Sequence, residues 1–185
     1  MQAPAKFTTH IVLAALGLIV YQQAQAARIE PAGSAFTAQG PISFSKGALI
    51  SADCTIKVAG KVAADGTSVN VDKVEFDGGL KCSRVEAINL PWVLIAKDTK
   101  SGSMSKISVD VHAFGLGGKC GPSTADGTWD NATGKLEAAN VPIGEDCKIK
   151  TVSIKMPPNF KVVEERLDAV AVIELRFGWK VKFCS

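Results

Sequence analysis

Histidine is nearly absent from this chain, which has two, His10 and His112. Only His112 lies beyond the first 26 residues. Nucleophilic sites of the Ser-His-Asp or Cys-His kind need an imidazole beside the nucleophile, so any such site would have to use His112. Its neighbours place it on the strand face opposite Val109 and Val111, where an imidazole faces solvent. A histidine-based metal site lacks ligands for the same reason. Tyrosine is represented once, by Tyr21. Outer-membrane barrels carry two aromatic girdles and lipid-facing strands throughout. The final strand pattern, alternating and ending in Phe183, hints at that class, but the aromatics for girdles are missing. No cysteine pair has C-x-x-C spacing, which removes zinc ribbons and thioredoxin-type chemistry. Charge is close to balanced, with 21 basic and 18 acidic residues and no basic cluster. That gives little pull toward nucleic acid.

A long apolar run occurs only at the start. Lys6 and His10 precede Ile11 to Tyr21, an uncharged apolar stretch, and QQAQA follows with Ala24 and Ala26 at the small-residue positions of a cleavage site. Residues 1–26 read as a secretory signal peptide, too short to span a bilayer comfortably. The expected mature domain is Ala27 to Ser185, one folding unit with no membrane helix. Export to the periplasm or beyond makes disulfides the default for its cysteines.

There are five: Cys54, Cys82, Cys120, Cys147 and Cys184. Sequence order favours Cys54–Cys82 and Cys120–Cys147, although four cysteines allow three connectivities. Each such bridge closes a loop of about 30 residues, worth roughly 3–4 kcal/mol on the chain-entropy account. Cys184 is then left as a free or intermolecular thiol.

Helical periodicity is scarce and period-two alternation is frequent. Cys54, Ile56, Val58, Gly60 and Val62 alternate with Thr55, Lys57, Ala59 and Lys61, as in a half-buried strand. Val69 and Val71 continue the pattern, while Val74 and Phe76 resume it out of phase, which predicts a bulge near Asp72-Lys73. Ile107, Val109 and Val111 form another apolar face. The strongest alternation runs from Ile173 to Phe183, and only Glu164 to Ala169 looks briefly helical. Gly, Asp, Asn, Ser and Pro clusters (ADGTS, FDGG, KSGS, GLGGKCGPS) separate the strands. The expected fold is an all-β antiparallel sandwich of about seven to nine strands.

One segment imitates a calcium loop. In Ala125 to Glu137, ADGTWDNATGKLE, oxygen-bearing side chains fall at loop positions 1, 3, 5 and 12 counted from Asp126. An EF-hand needs glycine at the sixth position and flanking helices. Here the sixth position is Asn131 and both flanks read as strand. Trp129 ends one strand, Asp130 to Gly134 turns, and Leu136 belongs to the next. Asn131-Ala132-Thr133 also matches a short glycosylation sequon. No catalytic, cofactor or metal set emerges, although carboxylates such as Asp53, Asp77, Asp126 and Glu145 leave a glycosidase pair as a distant third reading.

Several phrases together resemble the bacterial secreted alkane-oxidation activators, the PraB-like family. They are Phe36-Thr37-Ala38-Gln39-Gly40-Pro41 with Ser45-Lys46-Gly47, Asn89-Leu90-Pro91-Trp92, and Cys120-Gly121-Pro122-Ser123-Thr124. Gly127 to Thr133 and Ala138-Ala139-Asn140-Val141-Pro142 before Cys147 complete the set. The similarity runs from about Ile29 to Phe160, and residues 162–185 depart from it as a C-terminal extension. The resemblance implies an exported protein that helps cells grow on long-chain alkanes without oxidising them, and it carries over no catalytic residue.

Two functional classes follow. An accessory protein of this kind needs apolar surface to meet a hydrocarbon or lipid-like interface, with Trp92 and Trp129 as candidate contacts; against this, a tryptophan in a sandwich is more often core. A surface structural or adhesive subunit would instead self-associate by strand addition, donating Ala27 to Phe44 or Val170 to Phe183.

Overall fold

The computed structural model describes residues 27–112 and 117–164. The expected signal peptide, the strand at Ile173 to Phe183, Cys184 and nearly all of the 162–185 extension lie outside the described residues. Among the described residues there are eleven strands: β1 (Ala27–Glu30), β2 (Ala35–Lys46), β3 (Ile50–Val62), β4 (Ser68–Asp77), β5 (Val85–Ala87), β6 (Trp92–Ala96), β7 (Ser101–Val111), β8 (Gly118–Asp130), β9 (Lys135–Pro142), β10 (Cys147–Lys155) and β11 (Lys161–Glu164). The helical content among the described residues is one 3-10 turn, Cys82–Arg84.

The expected sandwich is corrected to a barrel. Strand order runs β7-β6-β4-β3-β2-β10-β9-β8, and β8 pairs again with β7, closing the sheet into an eight-stranded barrel. Each pairing is antiparallel, and the barrel strands follow one another around the wall in chain order, an up-and-down topology. β5 lies beside the far part of β7, Val85 opposite Val111. Alternation at period two is the same in a sandwich and in a barrel, because both bury one face of each strand. What separates them is the β7–β8 pairing, and no single strand's pattern encodes it.

Bulges and glycines bend the wall. Ala59 opposes Lys73 and Gly60 opposes Val71, so Asp72 is the extra residue, at the place the phase slip predicts. A Cβ on Gly60 would overlap the carbonyl oxygen of Asn70, and one on Gly40 would overlap that of Ser153. Glycine inside these strands is therefore a condition of close strand approach at the bend. Parts of two Gly-containing clusters read as turns are strand: Gly118 to Ser123 lies in β8 and Ser101 to Ser103 in β7, and the irregular pairing of these two strands accommodates the first.

The interior takes the apolar side chains and the outside takes the polar ones. In β3, Ala52, Cys54, Ile56 and Val58 are buried, while Asp53, Thr55 and Lys57 are exposed. Among the described residues Ser108 is the buried polar side chain, its hydroxyl donating to the Lys106 carbonyl at 3.1 Å. A lipid-facing barrel has the reverse arrangement, with an apolar outer band around a polar interior. None of the described helices is long and apolar enough to cross a membrane.

One end of the barrel is plugged. β1 and β11 form a separate two-stranded ribbon, Ile29 opposite Val162. Ile29, Phe160 and Val162 from this part of the chain are buried. Phe160 packs against Phe36 (centroids 5.6 Å apart) and edge-on to Trp129 (6.0 Å). The other end carries both disulfides. Cys54 is bonded to Cys82 and Cys120 to Cys147, with Cα atoms 5.7 and 5.9 Å apart.

Candidate apolar binding site

Within the barrel lies a cavity of about 80 Å³. Its wall is built by inward positions of successive strands, among them Ile42 and Phe44 of β2, Ile56 of β3, Trp92 of β6 and Ile107 and Val109 of β7. Residues two apart share a face, so Ile42 with Phe44 and Ile107 with Val109 turn inward together. The ionisable residue among the described wall residues, Asp126, turns its carboxylate outward to Lys97 at 2.7 Å and is 69% exposed. The Lys97 partner holds the Asp126 carboxyl below the ordinary range, with Ser103 adding to the effect. A void lined this way stays dry, because a water there would lack hydrogen-bond partners. It offers dispersion contact to an apolar guest and no group positioned to move a proton.

Both tryptophans are buried, the core placement that the sequence reading set against a surface contact. Trp92 is 4% exposed and lines the cavity, with its indole N–H donating to the Ile88 carbonyl at 3.1 Å. Trp129 is 7% exposed and sits under the ribbon. Both belong to inward-facing positions of barrel strands, and a large flat side chain is the efficient filler there.

The calcium-like stretch is a turn with a structural duty. Asp130 accepts from the Ala132 backbone N–H at 2.8 Å and the Thr133 hydroxyl at 2.7 Å, and Gly134 takes a φ of 65°. Those hydrogen bonds, Thr133 foremost, pull the Asp130 carboxyl below its ordinary value. Asn131 reaches across to β11. Its Oδ1 accepts from Val162 N–H at 2.9 Å and from the Trp129 indole at 2.7 Å, and its Nδ2 donates to the Val162 carbonyl at 2.8 Å. The side-chain amide thus makes the two backbone bonds a neighbouring strand would make.

His112 is exposed beside Glu86, Nε2 to Oε2 3.3 Å. Asp53, Asp77, Asp126 and Glu145 are exposed on the outside of the barrel and share no cleft. Among the described residues, no three His, Cys, Asp or Glu side chains gather as metal ligands would. Lys46 places its ammonium 3.6 Å from Cys147 Sγ and 3.9 Å from Cys120 Sγ, beside the second bridge. Of the two segments offered for strand addition, Ala27 to Phe44 is used within the chain: β1 pairs β11, and β2 pairs β3 and β10. Val170 to Phe183 lies outside the described residues.

Sequence reasoning passed over Phe44, Leu49 and Leu80, and saw Asn131 only as a turn residue. The signal for the two leucines was an apolar residue inside a glycine-rich turn, Gly47-Ala48-Leu49 and Gly78-Gly79-Leu80. For Asn131 it was an amide two residues after an inward tryptophan.

A family model described as alkane oxidation protein activator PraA/PraB-like matches residues 1–164. No curated relative matches the chain. No solved structure matches it either.

Proposed function

The chain belongs to the alkane oxidation protein activator PraA/PraB-like family, and from that membership we propose that it acts outside the cytoplasm as a non-enzymatic carrier for long-chain alkanes. In this reading residues 1–26 are a cleaved leader and 27–185 form the working domain. The observation that carries it is the apolar interior of the barrel, with Trp92, Ile107 and Val109 facing a void of about 80 Å³. An eight-stranded barrel is the size at which side chains nearly fill the interior or leave room for one small guest. Two bridges in the described part of the chain favour an oxidising compartment.

Adsorption to an oil surface through exposed tryptophans loses its support, since both are buried. Internal binding takes its place. Met104 and Leu94 also face the cavity. The flexible methionine side chain repacks readily, so the space adapts to part of an alkyl chain.

The test is direct. Protein purified after export is mixed with emulsified hexadecane, passed over a sizing column, and its hydrocarbon content measured by gas chromatography. Retention approaching one hexadecane per chain is expected, and Ala125→Leu, which fills the cavity wall, should reduce it. Hydrocarbon no higher than that of a control protein of equal size would refute the carrier reading.

A further inference from the structure

Two cavities of this barrel share a wall residue. Beyond the interior void, the disulfide end has a cleft of about 220 Å³ lined by Phe44, Leu49, Ile50, Leu80, Lys81 and Val111, among others. Phe44 also lines the interior void and is 3% exposed. One aromatic side chain therefore stands between the solvent cleft and the buried space.

The rim of that cleft is unusual for a turn region. Leu49 is 79% exposed and Leu80 is 81% exposed. Both sit at the cleft, on two different connections: Leu49 on the β2–β3 turn, Leu80 between β4 and the 3-10 turn. Exposed single leucines are ordinary, but two on the lip of an apolar cleft form a shared surface. Gly78 and Gly79, with φ of 124° and 96°, shape the segment before Leu80, and the Cys54–Cys82 bridge ties its far side to β3. The leucine is thus presented by a braced loop. At the opposite end the ribbon, Phe160 and the Asn131 hydrogen bonds close the way in.

We infer that the disulfide end is the mouth of the barrel, where a linear alkyl chain is captured between Leu49 and Leu80 and passes Phe44 into the interior. The inference rests on the reading of the interior as an alkane site and adds the route and the capture residues. Room inside is small against a long chain, so the bound alkane has one end in the void and the remainder along the cleft. Lys81 reaches the Ser51 carbonyl at 3.3 Å and leaves the floor of the cleft to Phe44, Ile50 and Val111.

Trp92 provides the readout, because it lines the void and a bromine atom quenches indole fluorescence on contact. The full exported chain with Trp129→Phe and Trp179→Phe leaves Trp92 as the reporter, and 1-bromododecane is the probe. Saturable quenching is expected. Adding Leu49→Ser and Leu80→Ser should slow its approach to equilibrium at least about fivefold, since two apolar capture surfaces are lost. Val163→Ser, on the ribbon at the closed end, should leave the rate unchanged. Quenching of normal extent whose rate ignores the leucines, or falls with Val163→Ser, would overturn the mouth and leave the carrier reading standing. Absence of quenching in the parent protein, with its fold verified by circular dichroism, would overturn both.

Discussion

Replacing Asn131 by alanine removes three hydrogen bonds at once without touching the apolar core. Two join its amide to the backbone of Val162, and the third accepts the Trp129 indole N–H, at 2.8, 2.9 and 2.7 Å. Val162 and Trp129 are both buried, 5% and 7% exposed, so water does not freely replace the lost partner. A net hydrogen bond contributes about 1 kcal/mol, and a buried group left unsatisfied costs about 1–3 kcal/mol. Three such bonds give a loss of roughly 3 kcal/mol. For a domain of this size that corresponds to a fall in Tm of about 6–12 °C. Urea unfolding followed by tryptophan fluorescence, with the disulfides intact, measures it through the midpoint at constant m-value. Asn131→Asp keeps the acceptor but loses the donor, and it sets a carboxylate against the Val162 carbonyl, so a loss is expected there too. A loss below about 1 kcal/mol for the alanine variant would refute the claim that this side chain fastens the ribbon to the barrel.

Gly60→Val should destabilise by more than about 3 kcal/mol or prevent folding, because its side chain would run into the Asn70 carbonyl at the bulge; the yield of exported, protease-resistant protein checks this, against Ala59→Val on the outer face as control. The Asp130 carboxyl is lowered in the folded state from the ordinary 3.8, chiefly by the Thr133 hydroxyl and the Ala132 N–H. Its contribution is therefore complete above the unfolded value and is lost as pH falls through the lower folded value. Wild type and Asp130→Ala should differ in urea midpoint at about pH 7, and the difference should shrink as pH falls below 3.8; a constant difference would mean the turn does not depend on the charge.

Individual strands were legible in the sequence because each has one buried face. Cys54 to Val62 alternates as written, and the phase slip between Val71 and Val74 marks a real extra residue, Asp72. Closure was not legible, since it depends on β7 meeting β8 through irregular pairing at Lys106 and Gly121. A glycine cluster such as Gly118 to Gly121 looks like a turn when strand bending is not considered. The site suffered from the same gap. Trp92 and Trp129 look like surface contacts or sandwich core until the sheet is rolled up and both point inward. Phe44 carries no local sign of its place between two cavities, because that place is a property of the barrel end. Asn131 was read as a turn former, which it is, but its partner Val162 lies 31 residues away.

The ribbon has a further consequence. Ala27 stands directly opposite Glu164 in register, so the first and last described residues meet at one pole of the barrel. A short linker from Glu164 back to Ala27 would join the described residues into a ring, and a cut in the exposed β9–β10 connection at Gly144 to Asp146 would permute them with the same wall. The leucine-rimmed pole lies at the other end of the barrel from Ala27 and Glu164, so the described domain has a built-in direction.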